Sequence, residues 1–306
     1  MNEFVEHRGC RLAYSMTGTG PAVVFIQGVG LHGAGWLPQT EDLSTSYRCH
    51  SFDHRGVGAS QPAGGPLSVR QMADDTLRIM DHAGLDSAHL VGHSMGGCIA
   101  VEAALTARQR VRSLSLLCTV SRGVDATRLS LRMLSIGMRS TIGTAQSRRR
   151  AFLELLLAPG DLNRSERDAL AASLEPLFGH DLAHRPPIVM KQLGALRAFD
   201  PQNRLAELGG LPTLVANAAH DQIATPASGR MLAESIPGAR YVEWAEHSHG
   251  VVIRDAASVN RLLREHIGHA EGLYASGAAR RGHATPREVA HQADAAWAVS
   301  APSADA

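Results

Sequence analysis

The chain has 306 residues, of which 44% are hydrophobic and 19% charged, and its 30 basic and 29 acidic side chains leave a formal net charge of +1. That composition supports a globular core, and the near-zero charge argues against nucleic acid or an anionic membrane as partner, because both require a concentrated basic surplus. The length accommodates two modest domains or one large α/β domain with an insertion.

The first segment alternates short strand patterns with tight turns. Strands are expected at 4–7, 11–17 and 22–27, and a fourth apolar burst covers 49–52. From there strand patterns alternate with helical ones, which implies crossover connections and a mainly parallel sheet. Ser68 and Gln71 form a capping-box start before Val69, Met72, Ala73, Leu77, Met80 and Ala83 at helical spacing; Gly84 is a natural stop, so a helix is expected over 69–83. A strand at 88–91, a helix at 96–107 and a strand at 111–118 follow. Strand patterns return only at 212–217, then a helix near 227–235, a strand at 239–244 and a helix near 258–267.

Between them, residues 122–210 lack strand alternation. They carry helix-like runs at 129–138 and 151–157, broken by Pro159-Gly160, Gly179 and Pro186-Pro187. The expected division is a sheet domain over 1–121 and 211–269, a helical cap over 122–210, and an alanine-rich tail over 270–306. Thirteen of the last 37 residues are alanine, leaving too few large apolar groups for a core, so disorder is expected there. Thr285, Pro286 and Glu288 resemble a capped helix start, which makes a short docking helix reaching Trp297 the alternative.

Cys10, Cys49, Cys98 and Cys118 are widely spaced and form no C-x-x-C pair, so they read as reduced, mostly buried thiols with neither a zinc knuckle nor a redox motif. Glu3 stands where a signal peptide carries basic residues, and no apolar run approaches the roughly 20 residues that span a bilayer. A cytoplasmic protein, neither secreted nor anchored, is expected.

The most informative pentad is Gly92-His93-Ser94-Met95-Gly96, followed by Gly97, between an apolar strand and a helix. It matches the G-x-S-x-G nucleophile elbow in the context that pattern requires. The turn is so sharp that neighbours with a Cβ would clash, and it sets Ser94 at the positive end of the next helix. A glycine-rich strand-to-helix turn also occurs in phosphate-binding folds, so the pentad alone leaves two readings. A second motif, Asp53-His54-Arg55-Gly56-Val57-Gly58-Ala59-Ser60, matches D-x-R-G-x-G-x-S.

With both motifs present, the chain resembles the serine-type α/β-hydrolase superfamily, esterases and enol-lactone hydrolases among them, over about residues 1–269. The resemblance implies an α/β fold with a mostly parallel eight-stranded sheet flanked by helices and a helical lid after the sixth strand. It gives the octad a structural role, with Arg55 and Asp53 bracing loops. It also implies the chain order Ser, acid, His. Asp221, in Ala218-Ala219-His220-Asp221-Gln222-Ile223, is similar to the family's acid loop, although Ala218 stands where relatives usually have Gly. Glu246-His247-Ser248-His249-Gly250 holds two candidate bases. The family's base precedes the final helix by about ten residues, which favours His249 over His247. A His-x-His pair also suits metal, but no third ligand has suitable spacing, so no metal and no cofactor is expected.

By the same resemblance the oxyanion hole uses the backbone N–H groups of Met95 and Val29, the latter in Gln27-Gly28-Val29-Gly30, where many relatives have His-Gly in place of Gln27-Gly28. Gln27, His93 and Trp36 are candidate substrate contacts; His32 lies too far past the strand to replace the missing His. The implied activity is hydrolysis of a small-molecule ester, thioester or lactone through an acyl-enzyme on Ser94, His249 and Asp221. Acyl transfer, carbon–carbon hydrolysis and lyase chemistry use the same triad, and a non-enzymatic small-molecule receptor is the alternative of another class. The cap holds 13 basic and 9 acidic residues, and Arg148-Arg149-Arg150 is a candidate attractor for an anionic substrate. The expected partner is a small molecule, with the chain a monomer or homodimer.

Overall fold

A computed structural model describes residues 2–126, 131–158, 160–161, 163–184 and 186–276. Eight strands build one sheet: β1 (Glu3–His7), β2 (Cys10–Thr17), β3 (Ala22–Ile26), β4 (Arg48–Phe52), β5 (Ala88–His93), β6 (Val111–Leu117), β7 (Thr213–Ala218) and β8 (Arg240–Trp244). Their spatial order is β1-β2-β4-β3-β5-β6-β7-β8. β2 runs antiparallel to both its neighbours, and every other pairing is parallel. The central strands β3, β5 and β7 are buried at every residue, as expected where both sheet faces are covered, whereas the edge strand β8 is only part-buried.

The helices are α1 (Leu37–Leu43), α2 (Val69–His82), α3 (Met95–Thr106), α4 (Gly123–Ala126), α5 (Leu131–Arg139), α6 (Ala145–Leu156), α7 (Arg164–Phe178), α8 (Ile188–Arg197), α9 (Pro226–Ser235), α10 (Val251–Arg254) and α11 (Ala256–Ala275). α2 packs on α3, which lies against β3, β5 and β6, while α1 packs on α11, which also reaches β6. Local chemistry sets the ends: Ser68 Oγ accepts the Gln71 N–H at 3.0 Å, and Asn163 with Glu166 forms a reciprocal capping box at the start of α7. Gly179 closes α7 at φ 72°, a conformation that glycine adopts without steric cost.

α4 to α8 all lie between β6 and β7, so the regular structure described in the segment that lacks strand alternation is helical, with turns and loops between the helices. It has its own apolar cluster around Leu153, Leu157, Leu174, Phe178 and Leu182, joined to the rest of the molecule through Leu31 and Ile253.

One expectation is corrected, and one element was unforeseen. α11 continues to Ala275, past residue 270 where the tail was expected to begin. Ala270 is fully buried, Glu271 meets His89 at 3.0 Å and Arg112 at 2.7 Å, and Arg112 stacks over the Tyr274 ring, so tertiary contacts extend the helix into an alanine-rich stretch. α1 was not foreseen, because seven residues are too few to display helical periodicity. The expected docking helix from Thr285 to Trp297 lies outside the described residues. Among the described residues no helix is long and apolar enough to cross a membrane.

Candidate active site

The strand β5 ends in the elbow, and Ser94 there has φ 56° and ψ −122°, a conformation costly for a residue with a Cβ. The glycines explain how it is tolerated. A Cβ on Gly96 would stand 2.0 Å from the Ile26 carbonyl oxygen, and one on Gly92 would stand 2.4 Å from the Gly96 carbonyl oxygen. The Ser94 N–H donates to the Leu117 carbonyl at 2.9 Å, which ties the elbow to β6. Met95 follows as the first residue of α3, where a backbone N–H has no intrahelical acceptor and the helix end is partially positive.

Asp221 sits in the loop after β7, almost wholly buried. Its Oδ1 accepts the N–H groups of Ile223 at 2.8 Å and Ala224 at 2.9 Å, and its Oδ2 accepts Nδ1–H of His249 at 2.7 Å. With Nδ1 donating to a carboxylate, Nε2 of His249 keeps its lone pair and is free to act as a base. His247, the other candidate, faces Asp255 instead, with Nε2 3.2 Å from its carboxylate, and is about one-third exposed. The structure therefore brings His249, not His247, to Asp221.

His93 is buried behind the nucleophile, its ring 4.8 Å from that of His249. Burial first, and the neighbouring His249 second, push its pKa down to about 3, so the ring is neutral. Its Nε2 donates to the His249 carbonyl at 3.0 Å. Gln27 is also buried, with its side-chain Oε1 accepting the Gly28 N–H at 3.1 Å and its carbonyl accepting from His54 at 2.8 Å. Trp36 is fully enclosed, 5.2 Å from the Phe25 ring and edge-on to His93. All three candidate substrate contacts thus brace the site from within the core, and Trp36 offers no exposed face to a ligand.

The loop carrying Val29 runs close to the nucleophile, since a Cβ on Gly28 would lie 3.3 Å from Ser94 Cβ. Asp53 of the octad holds this region from below, accepting from the N–H groups of Gly33 at 2.8 Å and Ala59 at 2.9 Å. Arg55 makes two buried hydrogen bonds to Asp75, at 2.6 and 2.5 Å, locking the octad to α2. His32 lines a separate groove of about 580 Å³ beside Ser15, Thr17, Leu37 and Ser51, away from the elbow.

Two participants, Cys118 and Gln192, carried no readable motif. Cys118, the residue after β6, has φ 46° and a buried thiol. Burial first, and the Asp221 carboxylate second, drive its pKa far up, so it stays a protonated thiol. His93, Cys118 and His249 each bring one potential ligand atom within 4.8 Å of the others, and Nδ1 of His249 is engaged by the Asp221 carboxylate. Gln192 on α8 accepts the Gly30 N–H at 2.7 Å. His54 stood inside the octad, but nothing in that motif indicated that its ring holds the end of β3. Of the arginine triplet, Arg149 is paired with Asp181 and Arg150 with Asp168, so two of its three charges are neutralised within the segment.

An eight-stranded, mostly parallel sheet with a strained serine elbow after β5, an acid after β7 and a histidine after β8 defines the class, and a profile of the alpha/beta hydrolase fold matches residues 21–256: the chain belongs to the α/β-hydrolase superfamily. Within it, the chain is 32% identical over 248 residues to RutD of Azorhizobium caulinodans, named as a carbamate hydrolase, covering 80% of this chain and 91% of that one. It is 33% identical to the dihydrolipoyllysine-residue acetyltransferase component of the acetoin cleaving system of Cupriavidus necator, covering 87% and 69%. Among solved structures, the enol-lactonase of Burkholderia xenovorans superposes with a TM-score of 0.70 at 26% identity, covering 87% of this chain and all of that one.

Proposed function

We propose that the protein is a serine hydrolase acting on an ester, thioester or lactone of a small molecule in the cytoplasm. The observation that carries this reading is the buried Asp221–His249 pair, 2.7 Å apart, joined through His93 to the elbow that holds Ser94. Ser94 Oγ attacks the carbonyl carbon while His249 Nε2 takes its proton, and Asp221 stabilises the imidazolium. The oxyanion is held by the N–H groups of Val29 and Met95. Collapse expels the alcohol or thiol, protonated by His249. Water, deprotonated by the same ring, then cleaves the acyl-enzyme and releases the acid.

In this reading residues 1–121 and 211–269 form the catalytic core and 122–210 a lid. Two contacts support the lid: Gln192 reaches the oxyanion loop, and the Leu156 carbonyl accepts the Gly250 N–H at 2.9 Å, next to the base. The named activities of the relatives, on carbamates and enol-lactones, are also attacks on an acyl carbonyl, so carbamates join the substrate panel.

The test is labelling by a fluorophosphonate probe, followed by turnover of aryl ester, thioester, lactone and carbamate substrates, each against Ser94→Ala. Stoichiometric labelling and turnover, both lost in the variant, are expected. Labelling without turnover on any of the four would favour a transferase or a receptor, and absence of labelling would reject an activated serine.

A further inference from the structure

Gln192 lies on α8 and is wholly buried. Its Oε1 accepts the N–H of Gly30, the residue after Val29. The Nε2 of the same amide has no hydrogen-bond partner among the described residues. The rest of the oxyanion loop is well held: the Gln27 carbonyl by His54 and the Gly28 N–H by the Gln27 side chain. Gly30 itself sits at φ 75° with Val189 of α8 against it, 2.9 Å from where a Cβ would stand. A buried amide satisfied on one side only is unfavourable, and such atoms call for a specific explanation. The unsatisfied group is a donor, so its complement is an acceptor oxygen.

We propose that Gln192 serves the active site with both ends of its amide. Oε1 is a positioning group that fixes Gly30, and through it the direction of the Val29 N–H. Nε2 donates to a substrate oxygen other than that of the scissile carbonyl. Preferred substrates therefore carry a second carbonyl or carboxylate oxygen in addition to the bond that is cleaved. The inference rests on the hydrolase reading above and narrows its substrate class.

The experiment compares the full-length protein with Gln192→Leu, Gln192→Glu and Ser94→Ala on an aryl pentanoate and on the aryl 4-oxopentanoate, which differs only in carrying a ketone at carbon 4, at pH 8. Fluorophosphonate labelling rates and melting temperatures are measured alongside. Gln192→Leu removes both functions, so kcat on both esters and the labelling rate should fall about tenfold, with KM for the oxo ester rising about tenfold more than that for the pentanoate. Gln192→Glu restores an acceptor for Gly30, so it should recover labelling relative to Gln192→Leu without recovering the oxo-ester preference. Equal effects on the two esters, or kinetics unchanged in both variants, overturn the inference and leave the hydrolase reading standing. If neither ester is turned over but Ser94 is labelled, an unchanged labelling rate in Gln192→Leu overturns it. If Gln192→Leu fails to fold, the KM ratio of Gln192→Glu decides. A wild-type protein with no labelling at Ser94 removes the hydrolase reading and this inference together.

Discussion

The Nε2 atom of His93 lies 3.0 Å from the carbonyl oxygen of His249, joining the residue before the nucleophile to the backbone of the base across 156 positions of sequence. Because the ring is neutral and its acceptor is a carbonyl, the bond persists throughout the physiological pH range. Replacing His93 by Phe keeps the ring but leaves a buried carbonyl unsatisfied. Stability should fall by about 1–3 kcal/mol in urea denaturation, and kcat should fall about tenfold or more through displacement of His249. Wild-type kcat in His93→Phe would show that the base is positioned by Asp221 alone.

Asp221→Asn retains an oxygen for the Ile223 and Ala224 N–H groups, so the loop should keep its shape. It no longer holds the reactive tautomer of His249, and kcat on an aryl ester should drop about 10⁴-fold with little change in KM. His247→Ala should stay within about twofold of wild type, since an exposed pair of the His247–Asp255 kind is worth little. A reversed pattern would transfer the role of base to His247.

All four cysteines are buried and unbridged. Burial pushes Cys49 and Cys98 up to about 12 and Cys118 well above its ordinary value. An aromatic disulfide reagent should therefore titrate none of them quickly in the native protein at pH 8 and all four in denaturant. Rapid native reaction of even one thiol would contradict the packing around it.

Two glycines in helices should respond in opposite directions to alanine. At Gly96 the new methyl meets the Ile26 carbonyl at 2.0 Å, and the backbone cannot yield without moving the elbow. Gly96→Ala should lose more than about 3 kcal/mol or fail to accumulate as soluble protein. At Gly194 in α8 nothing lies within 4 Å of the added carbon, and Gly194→Ala should gain about 0.5–1 kcal/mol from helix propensity. Thermal melts of the two variants check both signs.

Burial lowers the pKa of His50 to about 4 and those of His93 and His266 to about 3. Above about pH 6.5 these rings are neutral in both folded and unfolded chains, and their contribution to stability is complete. As the pH falls below that value the unfolded chain binds protons the folded one refuses, so stability declines, by up to about 1.4 kcal/mol per pH unit for each ring, until the folded pKa is reached. Urea midpoints between pH 7 and 4 should fall accordingly. Among the described residues neither ring nitrogen of His50 has a hydrogen-bond partner, so His50→Leu should flatten that slope without lowering stability at pH 7; an unchanged slope would remove His50 from the account.

The strand segments were readable because a two-residue period and fully apolar central strands leave a strong local pattern, and the elbow because its glycines answer a steric demand within five residues. Ser94, Asp221 and the order of the candidate triad came from motif and chain order alone. The choice between His247 and His249 could be argued from sequence only by counting; the structure separates them because the two side chains leave the backbone toward different carboxylates, Asp255 and Asp221. Tertiary structure alone also showed that α11 runs through Ala275, since helix propensity and composition carry no record of Glu271 meeting His89. The closeness of Cys118 to Asp221 and the hydrogen bond of Gln192 to Gly30 left no local signal, because each joins residues about 100 or more positions apart whose neighbours in sequence say nothing of their partners. Sequence determined which candidate catalytic residues this chain holds and in what order, through patterns short enough to be local. Folding decided which side chains meet, because burial, hydrogen-bond direction and pKa depend on neighbours that only the packed sheet and helices bring together.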